Sequence, residues 1–300
     1  MKSSRVAIFA ALIFLACVSR APAQTTPTSD YLIPFHAHHV IGNVYFVGTQ
    51  GLGIFLITTP EGNILINAGL EGNVPLIQAS VEKLGFHFKD IKILLISQAH
   101  FDHDAGSAKL KELTGAKYMV MDADVPVVES GGEADFYYND STDLPAEDKA
   151  LIHYPAAKVD RVLHDGDRVQ LGGTVLTAHL TPGHTKGCTT WTMRVQDGGK
   201  NYDVVIVGGP GVNRGYKLVN NSSYPEIAAD YEKTFRVSKT LRCDVFLGAH
   251  GGYYGMEEKY ARLKDGGANP FIDPDGYKAF MADREQAFRE ELARQTAAAK

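Results

Sequence analysis

Cysteine is scarce in this chain of 300 residues: there are three, at positions 17, 188 and 243. A disulfide framework standing in for a core is thereby excluded, and a chain of this length can bury a core without one. Long apolar runs are lacking too. The one candidate, residues 6–18, is too short to span a hydrocarbon layer about 30 Å thick. Excess positive charge is absent: 30 Lys and Arg against 35 Asp and Glu leave a net charge of -5. That removes the electrostatic case for a nucleic acid or an anionic membrane as partner. There is no low-complexity linker and no fixed-period repeat, so residues 24–300 read as one domain.

What is present begins at the N-terminus. Lys2 and Arg5 precede the apolar residues 6–18, and Ala21, Pro22 and Ala23 form a small-residue A-x-A arrangement before Gln24. This succession is that of a secretory signal peptide over residues 1–23. Lipidation at Cys17 fits poorly, because Phe14 stands where a lipoprotein signal wants a smaller aliphatic residue and the cysteine lies inside the apolar run. The expectation is a secreted or periplasmic protein, soluble after export.

Apolar periodicity and turn residues predict strands over 43–49, 54–59, 64–67, 91–97, 117–122, 168–180, 189–195, 203–208 and 243–248. Helices are predicted from Asn73 and Pro75 to near Gly85, and over 105–114, 224–241 and 274–295. Residues 91–97 form a compact apolar run, as in a strand buried on both faces. Strands flanked by helices in both halves give an α/β class, and two sheets face to face with helices outside both accommodate the order.

The chemistry concentrates after that buried strand, in Ser-Gln-Ala-His-Phe-Asp-His-Asp-Ala-Gly at 97–106. Gln98, His100, Asp102 and His103 stand close together, and imidazole with carboxylate suits zinc. Two further histidines follow strands in glycine-rich turns: His184 in Thr-Pro-Gly-His-Thr-Lys-Gly and His250 in Gly-Ala-His-Gly-Gly. Ligand sites in α/β proteins collect at strand ends, and flanking glycines let backbone approach a metal. A polar loop with surface histidines is the bland alternative for 97–106, and a structural role is the alternative for His184 or His250 taken alone.

The H-x-H-x-D-H loop pattern, carried here by Gln98 to His103 with Gln first, the later Gly-His and the last His resemble the metallo-β-lactamase superfamily, and within it the third subclass of metallo-β-lactamases. Residues 43–70, 177–191 and 269–274 share the resemblance, which covers essentially the whole chain after residue 23. It implies a four-layer αβ/βα sandwich and a zinc-dependent β-lactamase in which a metal-bound hydroxide opens the lactam amide. It implies that Gln98, His100 and His184 hold one Zn2+ and that Asp102, His103 and His250 hold a second. One or two zinc ions per chain, a small-molecule β-lactam substrate and a monomer are the corresponding expectations. Asp102 would also orient the hydroxide, Tyr216 would donate to the substrate carbonyl oxygen, and Lys186 would meet a substrate carboxylate. A lactonase or thioester hydrolase on the same fold is the nearest alternative, since fold does not fix substrate. A non-catalytic metal-binding protein ranks after it.

Three positions depart from the family pattern. Gln98 replaces the usual His, and an amide oxygen is a weaker zinc ligand than imidazole. Asn67 ends a strand where an Asp is usual, which is expected to weaken support beneath the metals. Residues 208–211 lack a serine often found there. Elsewhere, His36, His38 and His39 read as an exposed lead-in segment, His179 as a hydrogen-bonded strand residue, and Asp104 as a helix N-cap. His87, His153 and His164 read as partnerless polar-surface residues. Cys188, four residues after His184, and Cys243, seven before His250, fall at opposite strand ends. That separation exceeds the ~7 Å a bridge allows between Cα atoms, so no disulfide joins them.

Overall fold

The computed structural model describes residues 30–138 and 151–300. The signal-peptide reading at 1–23 lies outside the described residues.

Seven strands form the first sheet, in spatial order equal to chain order: β1 (His38–Ile41), β2 (Val44–Phe46), β3 (Phe55–Thr59), β4 (Gly62–Ile66), β5 (Ile91–Leu95), β6 (Lys117–Met121) and β7 (Arg161–Leu163). The first four are antiparallel neighbours and the last three add in parallel. The second sheet runs β12-β11-β10-β9-β8, from β8 (Arg168–Leu171), β9 (Thr174–Leu180), β10 (Thr189–Asp197), β11 (Lys200–Val207) and β12 (Val245–Gly248).

Side-chain alternation explains why both faces of each sheet are covered. Phe55, Ile57, Ile64, Ile66, Ile93 and Leu95 point between the sheets and meet Trp191, Met193 and Val204. Leu56, Leu65, Leu94 and Val120 point outward and are buried under α1 (Val74–Lys83) and α3 (Ser107–Thr114). Period-2 strands with both sets apolar require cover on both sides. On the second sheet that cover comes from α5 (Ile227–Ser238) and α7 (Pro274–Ala298), whose Tyr231, Phe235 and Phe288 join the same core. Four layers result, helix–sheet–sheet–helix, as the resemblance implied.

Several elements differ from the sequence reading. Residues 168–180 are a hairpin rather than one strand, because Gly172 and Gly173 take φ of 49° and 84°, the paired positive φ of a two-residue hairpin turn. The helix predicted at 105–114 is α3, and a separate single turn that was not predicted, α2 (Phe101–Asp104), precedes it. The break between them is at Gly106, whose N–H donates to Gly69 O and whose Cβ, if present, would lie 2.5 Å from Ala68 O. Strands β1 and β7, α4 (Val125–Glu129) and α6 (Met256–Lys264) were not predicted. His36 and His39 are exposed, as expected of a lead-in, but His38 is not, and the strand begins at it. His38 and His39 open β1, with His38 buried against Phe46, Tyr260 and Phe271.

Cross-links between the sheets place the loops. The Trp191 indole N–H donates to Ile96 O at 3.1 Å, and Thr189 N–H donates to Ser97 O at 2.7 Å. These hold the start of β10 against the exit of β5. Gly53 N–H donates to Ala249 O at 2.7 Å, so the loop before β3 is laced to the loop after β12. Ligand-bearing loops at the ends of β5 and β12, and before β10, thus converge on one edge of the sandwich.

Candidate metal centre

Gln98 and His100 follow β5, and His100, in extended backbone, is N-cap to the single turn α2, which delivers Asp102 and His103. All four are buried. His184 arrives from the β9–β10 turn and His250 from the end of β12.

Asp102, His103 and His250 form one tight group, their ligand atoms all within 4.8 Å of one another. The Nε2 atoms of His103 and His250 are 3.1 Å apart, and Asp102 Oδ2 lies 3.2 Å and 3.5 Å from them. Burial alone would raise the Asp102 carboxyl, but His103 and His250 outweigh it and hold it well below the usual range. Burial, with His103 alongside, takes His250 down to about 3. One carboxylate and two imidazole nitrogens converging in a buried cleft fit a divalent cation.

Gln98, His100 and His184 make the neighbouring group. The His100 and His184 rings have centroids 4.7 Å apart. Both amide atoms of Gln98 are buried with no hydrogen-bond partner. The tautomers follow from the outer partners. His184 Nδ1–H donates to Gly211 O at 2.7 Å, leaving Nε2 as the free lone pair. The Tyr216 hydroxyl spends its proton on His184 O at 2.7 Å. It therefore accepts from His100 Nε2–H at 3.3 Å, a nitrogen that also faces Asp135 Oδ2 at 3.6 Å. His100 Nδ1 is left for a ligand. Burial holds His184 near 4, opposed by the Gly211 bond, and holds His100 well below its ordinary value, with His184 adding to the effect. Neutral imidazoles and an orphaned buried amide fit a second cation.

All six residues singled out from sequence as ligands are thus brought together, in the two groups expected. The other two site candidates behave differently. Tyr216 is buried behind the ligands, packed by Phe136 and Tyr137, and its proton is committed to His184 O. The expected donation to a substrate carbonyl is not open to it in this arrangement. Lys186 is exposed beside the His184 turn, with Nζ donating to Ser223 O at 3.0 Å and standing 5.2 Å over the Tyr224 ring.

The departures at Asn67 and at residues 208–211 acquire reasons. Asn67 is buried with φ of 70°, a left-handed value that Asn tolerates. Its amide donates to Gly53 O at 2.9 Å and accepts from Ser97 N–H at 2.8 Å. The side chain is a two-ended strap between strand ends, not a lost charge. A Cβ at Gly209 would stand 2.6 Å from His184 Cδ2 and 3.1 Å from Gln98 Nε2, so glycine lets this backbone lie on the ligands.

Asp104 is not a helix cap. It is buried at the end of α2 and accepts from the Tyr118 hydroxyl. His164 has a partner, Asp122 Oδ2 at 3.0 Å, and His179 bonds Thr192 Oγ1 at 2.8 Å as expected. Cys188 and Cys243 are both free thiols. Sequence reasoning missed Asp124, buried just before α4. Its Oδ2 accepts from Ala99 N–H and the Thr185 hydroxyl, and its Oδ1 from Gly187 N–H. Burial pushes its carboxyl up to about 7 against those bonds. It missed Gln295 as well, whose amide bonds Tyr216 O and Leu218 N and pins the 209–218 loop to α7. An acidic residue at a strand end, as at 122–124, is the one available hint for Asp124; nothing in residue order points to Gln295.

Residues 54–250 match the family model described as the metallo-β-lactamase superfamily. The chain belongs to that superfamily. Among solved structures, it is 54% identical to the native FEZ-1 metallo-β-lactamase from Legionella gormanii. That match covers 88% of this chain and 98% of that one at a TM-score of 0.84. BJP-1, a subclass B3 metallo-β-lactamase of Bradyrhizobium japonicum, is 39% identical over 91% of this chain and 99% of its own, at 0.82. The class B3 di-zinc metallo-β-lactamase LRA-12, from an Alaskan soil metagenome, is 32% identical over 88% and 97%, at 0.81. Within the superfamily the chain stands with subclass B3. The resemblance drawn from 97–106, His184 and His250 therefore extends to whole-chain similarity.

Proposed function

We propose that this protein is a zinc-dependent β-lactamase of subclass B3. The observation that carries the reading is the convergence of six ligand side chains into two adjacent groups, in a chain 54% identical to a metallo-β-lactamase. In this reading Gln98, His100 and His184 hold one zinc, and Asp102, His103 and His250 the other. Zinc, when bound, polarises the lactam carbonyl and lets water act as a nucleophile near neutral pH.

The chain's own residues do the rest. Asp102, kept ionised, accepts a hydrogen bond from the attacking water and orients it. The Gly211 carbonyl fixes the His184 ring, and Tyr216 with Asp135 fixes His100, so no ligand must turn before reaction. Tyr216 is a positioning residue in this scheme. Lys186 presents its ammonium at the rim, where it meets a substrate carboxylate once released from Ser223 O. Export past residues 1–23 and action as a monomer outside the cytoplasm complete the proposal, supported by the charged, apolar and small-residue succession there.

Hydrolysis of a chromogenic cephalosporin by the purified chain tests the reading. Turnover is expected to vanish on exhaustive chelation and return with added zinc. Full activity in a preparation verified as zinc-free overturns it.

A further inference from the structure

Asp124 accepts three hydrogen bonds, all from backbone and side chains next to ligands. Oδ2 takes Ala99 N–H at 3.0 Å and the Thr185 hydroxyl at 2.7 Å, and Oδ1 takes Gly187 N–H at 2.7 Å. Ala99 stands between Gln98 and His100, and Thr185 follows His184. All three ligands of the Gln98 group are thus one residue from an Asp124 hydrogen bond. Asp102, His103 and His250 are held by other contacts. The loop is shaped to the carboxylate: a Cβ at Gly187 would fall 2.7 Å from Asp124 Cγ.

Two considerations show why a carboxylate stands here. All three incoming groups are donors, and an ionised carboxylate is acceptor-only. An amide would turn an N–H toward one of them. Burial pushes this carboxyl up to about 7, and the three donors, together with a dication on the ligands beside it, are what favour the ionised form. The second consideration is that charge. The Gln98 group offers a dication only neutral atoms, an amide and two imidazoles, whereas the neighbouring group contains Asp102. In a buried site a nearby anion is felt strongly, even one layer removed from the ligands. Asp135, 3.6 Å from His100 Nε2, adds a second such charge.

We propose that Asp124 is the positioning residue of the Gln98–His100–His184 metal site. It clamps the two loops that carry those ligands and supplies the negative charge their donor set lacks. It therefore governs the metal affinity of that site and not of its neighbour. The inference rests on the metal assignment made above.

Zinc titration of the metal-free full chain against a chromophoric chelator tests it. Imidazole NMR, read in parallel, tells His100 and His184 from His103 and His250. Asp124→Asn is expected to weaken the first site by about 10- to 100-fold, the usual scale for an outer partner of ligands, and the second by less than about twofold. Thr185→Val removes one of the three bonds, is nearly isosteric, and is expected to weaken the same site by a smaller factor. It carries the comparison by itself should Asp124→Asn fail to fold. A residue that merely supports the fold would lower both affinities together with the metal-free melting temperature. Equal weakening of both sites, or unchanged affinities in a folded variant, overturns the proposal. A wild-type chain that takes up no zinc overturns the metal assignment and this inference with it, whereas two sites weakened alike overturn this inference alone.

Discussion

Gln98 keeps both atoms of its amide buried and unpartnered, a state that costs about 1–3 kcal/mol per group in a protein interior unless something polar meets it. A metal ion is such a partner, but a neutral amide oxygen is a modest one. The neighbouring group has a carboxylate in Asp102, whose attraction to a dication is larger. At limiting zinc the Asp102–His103–His250 site is therefore expected to fill first. Gln98→His is expected to raise affinity at the other site by roughly tenfold, on the scale typical of changes around metal ligands. Zinc titration of both proteins, following bound metal and turnover together, checks this. Equal, tight sites in the wild type, unchanged by the substitution, would show that this ligand does not control occupancy. The six candidate ligands stood out in the sequence because five of them are imidazole or carboxylate residues in short motifs. Orientation did not. Tyr216 was visible only as a tyrosine near a glycine-rich turn, and its hydroxyl direction depends on His184 O, 32 residues away in the chain.

Strand ends position the site, and one glycine shows how tightly. Gly53, in the loop before β3, lies where a Cβ would be 2.0 Å from Gly248 O. Backbone must move to accept any side chain, and the loop that would move is the one laced to Ala249, next to His250. Gly53→Ala is expected to destabilise the protein by about 1–3 kcal/mol, the usual cost of forced overpacking. It should also loosen the second zinc by displacing His250. Urea denaturation and zinc stoichiometry measure the two effects, and a variant with wild-type values for both would refute the account. At this scale the sequence was informative where one face or both faces of an element are apolar: β3, β5, β6, β10 and α1 fall where periodicity placed them. It was silent on β1, where two adjacent histidines disguise a strand whose cover is the distant Tyr260 and Phe271. It also ran β8 and β9 together, because valine and leucine continue across the glycine pair that reverses the chain. Asp124 escaped notice for a related reason: its partners lie 25, 61 and 63 residues away, and only the packed sandwich brings them together.

Acid response belongs to the whole molecule, since His38 joins three distant parts of it. Its ring, on β1, stacks at 5.2 Å on Phe46 of β2 and at 5.6 Å on Phe271, and tilts at 4.7 Å against Tyr260 of α6. Nδ1 bonds His36 O at 2.7 Å, and Nε2 is buried without a partner. Burial drives its pKa down to about 4, opposed by the His36 bond and aided by the nearby charges of His36, His39 and Lys264. The ordinary value is 6.5, so between these limits the unfolded chain binds a proton here that the native chain refuses. Stability from this residue is complete above pH 6.5 and is lost as pH falls toward 4. Each pH unit in that window costs about 1.4 kcal/mol, reaching on the order of 3 kcal/mol at its lower end. The buried ligand histidines His184 and His250 respond in the same direction, but equally in a wild type and a His38 variant. His38→Phe keeps the aromatic packing and removes the proton site. It surrenders the bond to His36 O, which shifts stability at every pH without changing its slope. Unfolding free energy measured from pH 7 to 4.5 is expected to fall less steeply in the variant, by nearly one proton in the slope. Two parallel curves would show that His38 gains its proton in the folded protein as readily as in the unfolded one, and that the aromatic cage does not exclude the charge.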